Sequence, residues 1–260
     1  MPLLVTDALV LHSFDYLESS RILRIATREL GVQSVLARGA RRSQRRYGSA
    51  LDLFAQGVAE LQIKSGRDMH TLTAFDVQRG RPALAIELDR FTAASAVAEL
   101  ALRFTHHDPH PALYDTLVAA LDLIAGAAPG QAASGALASA WRIVAELGFT
   151  PALDRCSSCH DALAADAAAV FSHPAGGVLC ARCARMSPGN RVLPADARVA
   201  LLHWTRGEAA PPIAADAVRA HQRLLREFLG EHLTDGRPLR AFEIWERERW
   251  GEPGPRSALR

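Results

Sequence analysis

The stretch Ile22-Leu23-Arg24-Ile25-Ala26-Thr27, followed after Gly31 by Val32-Gln33-Ser34-Val35-Leu36-Ala37, decides the fold. Apolar Ile22, Leu23 and Ile25 stand against Arg21, Arg24 and Arg28, the pattern of a strand with one wet side. Gly31 then allows a short hairpin connection into the second strand. Working outward, Val5 to Phe14 reads as a strand before this pair, carrying Val5, Leu9, Val10, Leu11 and Phe14. Two more are predicted at Gly57 to Ile63 and Met69 to Val77, joined by the turn Lys64-Ser65-Gly66-Arg67-Asp68. Five short strands with no helix long enough for a parallel crossover predict a small closed antiparallel barrel. An OB-fold and an SH3-like barrel share this strand count, so pattern alone does not separate them.

Pro82 closes the β-rich region and helical spacing takes over. Leu88, Phe91, Ala94, Ala98 and Leu102 place a helix over Glu87 to Phe104. Further helices are predicted over Leu113 to Ala125, Ala136 to Leu147, Asp196 to Thr205 and Asp216 to Leu233, with Gly126 to Gly135 a small-residue loop. The fold class is therefore α+β. Residues 1–80 form the barrel and residues 81–250 a helical domain, with a cysteine-bearing insert at 152–187. Gly251-Glu252-Pro253-Gly254-Pro255 suits a disordered tail over 251–260.

The chain has 260 residues, and 49% of them are hydrophobic, enough to build a core and to exclude wholesale disorder. A net charge of only +2 means that any basic surface is local. Met1-Pro2-Leu3-Leu4-Val5-Thr6-Asp7 lacks the features of a signal peptide, and no long apolar run suggests a membrane span. Paired cysteine spacing points to metal and a reducing interior, so a cytoplasmic protein is expected.

Cys156-x2-Cys159 and Cys180-x2-Cys183 are separated by twenty residues. Two such knuckles let four thiolates converge on one Zn²⁺. A redox C-x-x-C is disfavoured, because neither pair follows a strand in a βα unit. His160 and His173 are spare to the quartet. Four thiolates leave no open coordination position, so the expected ion is structural.

No acidic residue lies between Glu29 and Asp52, and that gap holds Arg38, Arg41, Arg42, Arg45 and Arg46 among small and polar residues. On a barrel, such an inter-strand loop can grip a nucleic-acid backbone through guanidinium–phosphate pairs. Tyr47 is a candidate to stack on a base. The plain alternative is a solvated charge run that keeps a loop soluble.

His106, His107 and His110 fit an ordinary proline-bearing loop better than a metal site. Trp204, Trp245 and Trp250 fit core packing, and Phe242 to Trp250 could otherwise be a partner helix. No Walker loop, G-x-S-x-G, H-E-x-x-H or G-x-G-x-x-G occurs, so no catalytic machinery is visible.

In their order, several segments resemble RecO, a family of bacterial recombination mediators. They are Tyr16-Leu17-Glu18-Ser19-Ser20-Arg21-Ile22-Leu23, Thr27-Arg28-Glu29-Leu30-Gly31, Ala37-Arg38-Gly39-Ala40-Arg41-Arg42, the cysteine quartet, and Leu224-Leu225-Arg226-Glu227-Phe228-Leu229 with His232-Leu233. The resemblance implies an N-terminal OB-fold barrel and a helical C-terminal domain that carries a zinc knuckle in some members; with no catalytic motif visible, the chain is expected not to be an enzyme. It also implies binding of single- and double-stranded DNA, strand annealing and help in loading RecA onto strands coated by single-strand-binding protein. The partners so implied are RecR, the acidic tail of that coating protein, RecF and RecA. Two other classes compete: a zinc-containing protein–protein adaptor whose barrel binds no DNA, and a nuclease.

Overall fold

The computed structural model describes residues 2–40, 47, 51–105, 108–128, 130–164, 168–187, 191–210, 213–214, 216–233 and 237–247. The first five strands are β1 (Leu3–Tyr16), β2 (Ser20–Thr27), β3 (Gly31–Ala37), β4 (Gln56–Gln62) and β5 (Met69–Arg79). They close into a barrel in the order β1-β2-β3-β5-β4, with β4 returning to β1. All neighbours are antiparallel except β3 and β5, which run parallel from Ser34 opposite Met69 to Ala37 opposite Leu72. This arrangement is OB-like. Alternation does the sorting: Ala8, Val10, Leu23, Ile25 and Val35 fill the barrel, while the residues between them face outward.

At Leu11 the alternation slips. The register with β2 passes from Val10 opposite Ile25 to His12 opposite Arg24, a β-bulge with Leu11 as the extra residue. Gly57 is required for a different reason. A Cβ there would lie 2.1 Å from the Asp76 carbonyl oxygen across the β4–β5 pair. Gly57→Ala must push backbone apart, so a loss of about 1–3 kcal/mol is expected in urea unfolding.

The helical part begins with α1 (Pro82–Ile86), α2 (Leu88–Phe104), α3 (Pro111–Ala125) and α4 (Ala132–Glu146). Helix α4 starts earlier than Gly135 suggested. The glycine sits inside the helix, where a Cβ would approach Leu123 Cγ of α3 to 3.2 Å, so it serves close helix packing rather than a loop. His110 is the cap of α3: its Nδ1 accepts from the Leu113 N–H at 3.1 Å. After the insert come α6 (Ala195–Arg206), α7 (Ala217–His232) and α8 (Arg240–Arg247), α5 (Ala181–Ala184) lying within the insert. Trp141, Phe228, Phe242 and Trp245 are almost wholly buried in the shared core. Helix α8 is thus held by its own chain, and the Glu99 carboxylate of α2 accepts from the Phe242 N–H at 3.0 Å. Trp204 is buried as expected. The expected tail at 251–260, Trp250, His106 and His107 lie outside the described residues.

The insert contains what periodicity could not reveal, a sheet of β6 (Ala169–Ser172), β7 (Gly177–Leu179) and β8 (Arg191–Leu193) in the order β7-β6-β8. Phe171, Val178 and Leu193 from it enter the main core beside Phe228. On the opposite side, Leu9, Leu11, Ala26 and Val32 of the barrel join the same core. Arg81, only 6% exposed, ties the two parts together. It donates to Asp122 of α3 at 2.8 Å, to the Phe54 carbonyl at 2.9 Å and to Gln56 at 3.0 Å.

Candidate nucleic-acid interface and metal centre

Arg38 stands exposed in the turn that leaves β3. Arg41, Arg42, Arg45 and Arg46 lie outside the described residues. Tyr47 does not offer its ring to a base. It is 2% exposed, packs in the barrel core, and its hydroxyl donates to the Leu72 carbonyl at 2.8 Å. The ring is an anchor for the segment after the arginines, a role its loop-like neighbours concealed.

Other arginines on the barrel divide by their partners. Arg21 lies 3.3 Å from Asp15. Arg28 is held by Asp115 and Asp7 and lies 5.1 Å over the Tyr114 ring. The hydrogen bond to Asp115 raises the Arg28 pKa, and burial pushes the Tyr114 phenol up to about 12. Arg24 has neither kind of support. Its Nε is buried with no hydrogen-bond partner, and burial lowers its pKa.

The four cysteines converge at the insert, their sulfurs all within 4.8 Å of one another. Cys159 and Cys180 Sγ are 3.7 Å apart. Tetrahedral bonds of about 2.3 Å to zinc require sulfurs ~3.8 Å apart, so the donor set fits such an ion. Local backbone geometry makes the knuckles. The Cys156 N–H donates to the Asp161 carbonyl at 2.8 Å, and the His160 N–H to the Cys156 carbonyl at 2.9 Å. His160 takes φ +63°, the left-handed turn that closes the first knuckle. In the second, the Ala184 N–H donates to the Cys180 carbonyl at 2.9 Å.

Burial favours the neutral Cys156 thiol, but N–H groups of Cys159, Cys180 and Ser158 outweigh it and bring the pKa down to about 6. For Cys159 the Asp161 N–H favours thiolate. The Asp161 carboxylate, burial and the neighbouring sulfurs outweigh it and raise the thiol to about 12. Four adjacent sulfurs resist simultaneous ionisation, and a divalent cation is the group that relieves this. The cluster can therefore hold a metal ion and is compatible with zinc.

His173 is not among the clustered donors. It lies 3.1 Å from Glu227 of α7, and Arg191 of β8 pairs with the same carboxylate at 2.5 Å. Arg198 of α6 looks in the sequence like any other arginine. It is 1% exposed and donates to the carbonyls of Leu153, Ala164 and Leu163, at 2.7, 2.8 and 3.1 Å. No sequence spacing announces that role.

Comparison with known proteins agrees with this architecture. Residues 1–81 match the family model for Recombination protein O N terminal, and residues 87–241 match that for Recombination protein O C terminal. A DNA repair protein RecO from Anaeromyxobacter dehalogenans is 39% identical over 242 residues, covering 89% of this chain and 91% of the relative. DNA repair protein RecO from Nocardioides sp. is 30% identical over 247 residues, covering 91% and 97%. That from Rhodopirellula baltica is 33% identical over 212 residues, covering 81% and 78%. Barrel, helical body and matches together define a DNA recombination and repair protein, a class named for repair rather than for a catalysed reaction. The chain belongs to the RecO family. No described helix is long and apolar enough to cross a membrane.

Proposed function

We propose that this RecO-family chain binds single- and double-stranded DNA through the arginine segment that begins at Arg38 and anneals complementary strands. On this reading residues 1–80 form the nucleic-acid-binding domain and residues 81–250 the helical domain carrying the 152–187 knuckle. The observation that carries it is the placement of Arg38, exposed at the end of a barrel strand and opening a segment with five arginines and no acid. Arg41 and Arg42 act with it, and Arg45 and Arg46 extend the same charge. Annealing needs no bond chemistry. Guanidinium groups screen the phosphate repulsion that keeps two strands apart, and the bases then pair.

Zn²⁺ is the proposed ion, one per chain, held by Cys156, Cys159, Cys180 and Cys183. It would act as a structural cross-link. The chain works in the cytoplasm at the nucleoid, with RecR and RecF, and assists RecA loading on strands coated by single-strand-binding protein. A groove between β8, α6 and α7, of about 460 Å³, has a lining in which apolar Ile213 and Leu224 stand with Arg191 and Arg223 against a single acid, Asp196, and it is the proposed seat of that protein's acidic tail.

If all five arginines neutralise phosphates on a single strand, log K should fall with log salt at a slope of roughly −3.5, about a hundredfold between 50 and 200 mM. Changing Arg38, Arg41 and Arg42 to alanine should flatten the slope by about 2 and suppress annealing. A flat wild-type profile, or annealing that survives these changes, refutes the assignment and favours the adaptor reading.

A further inference from the structure

The outward face of the barrel has two halves. Leu9, Leu11, Ala26 and Val32 occupy one, buried against the helices. Past the Leu11 bulge the same face continues with His12, Phe14 and Tyr16, all exposed. Phe14 is 45% and Tyr16 41% exposed, and the His12 and Phe14 ring centroids lie 5.8 Å apart. Cross-strand register places His12 opposite Arg24, Phe14 opposite Ile22 and Tyr16 opposite Ser20. Ile22 in turn lies opposite Leu36, and Arg38 follows one residue beyond the last pair of β2 and β3.

Single exposed hydrophobic residues need no explanation. Three rings at alternate positions on one face, beside a cation lacking an anion, do. Arg21 and Arg28 have carboxylates, whereas Arg24 and Arg38 pair with none among the described residues. A half-buried guanidinium without a counter-charge is costly, and a bound phosphate removes that cost. Alternate residues along a strand are ~6.8 Å apart, a spacing an extended, unstacked polynucleotide can follow.

We propose that this face is a base-stacking platform for single-stranded DNA: unpaired bases lie on His12, Phe14 and Tyr16 while Arg24 and Arg38 take the flanking phosphates. A duplex keeps its base faces stacked inside and cannot use such a surface, so the platform selects the unpaired strand. The inference rests on DNA binding at the barrel and adds where the bases go.

The test compares full-length wild type with Phe14→Ala, Tyr16→Ala and the double variant. The ligands are a labelled oligothymidine and an abasic oligomer of equal length. Each truncation should weaken oligothymidine binding about tenfold. It should leave the salt slope and the melting temperature unchanged, because neither ring contacts phosphate or fills the core. The abasic oligomer should bind more weakly and be indifferent to both truncations. Arg24→Gln should instead flatten the slope by about 0.7. Phe14→Trp should keep its affinity, and its emission should be quenched by oligothymidine but not by the abasic oligomer. Wild-type affinity in the double variant, or equal binding of the abasic oligomer, overturns the platform. DNA binding through the arginine segment would then stand alone, recognised by its salt dependence. If wild type binds neither oligomer, both readings fail together.

Discussion

Stripping metal from the cysteine cluster is expected to melt the insert while the barrel keeps its strands. Structural zinc contributes on the order of 10 kcal/mol or more to folding a small site, far above what β6, β7 and β8 can supply with three or four residues each. Their packing makes the effect wider than the knuckles. Phe171 and Val178 enter the core that also holds Trp141, and the ring centroids of Trp141 and Phe228 are 5.2 Å apart. Chelation should therefore expose the amides of residues 152–187 to hydrogen exchange and shift tryptophan emission, while peptides from β1 to β3 stay protected. Cys156→Ser should behave like the chelated protein. Full protection across the insert in protein purified without zinc would defeat the assignment.

Arg198→Met is expected to cost about 3–5 kcal/mol. The guanidinium of α6 satisfies three carbonyls of the segment around the first knuckle, and methionine leaves that of Leu153 buried and those of Leu163 and Ala164 partly buried, all without this donor. In a chain this size such a loss lowers Tm by roughly 10 °C. The measurement is made in the presence of excess zinc, so that a metal-binding defect is not mistaken for the lost hydrogen bonds. A loss below about 1 kcal/mol would mean that water or another donor takes over. Lysine should rescue poorly, because a point charge on one stem cannot serve three divergent acceptors.

The barrel was legible because strands with one wet side print their period in the sequence. Leu23 and Ile25 alternating with Arg24 carry the period of β2, with Ile22 on the outer face beside Arg24, and Gly31 marked the turn. The metal cluster was legible for a similar reason, since ligand spacing is local. What stayed hidden depended on neighbours distant in sequence. Leu9-Val10-Leu11 reads as one apolar run, yet Val10 faces the barrel and Leu9 and Leu11 face the helices. Tyr47 reads as loop because its neighbours are small and polar, and only the Leu72 carbonyl across the barrel explains it. Gly135 reads as loop because no local pattern reports that Leu123 leans on it. Strands of three residues carry too few positions for alternation to register.

The one-residue slip at Leu11 has a consequence for how this strand can change. Side chains on a strand alternate, so an inserted residue reverses every assignment beyond it. Were Leu11 to pair regularly instead of bulging, the phase set by Val10 would send His12, Phe14 and Tyr16 into the barrel and turn Ser13 and Asp15 outward. The bulge thus works as a phase shifter between a segment glued to the helices and a segment left open to solvent. Point substitutions can retune the open half freely, and loss of Leu11 itself would straighten the strand while keeping its phase.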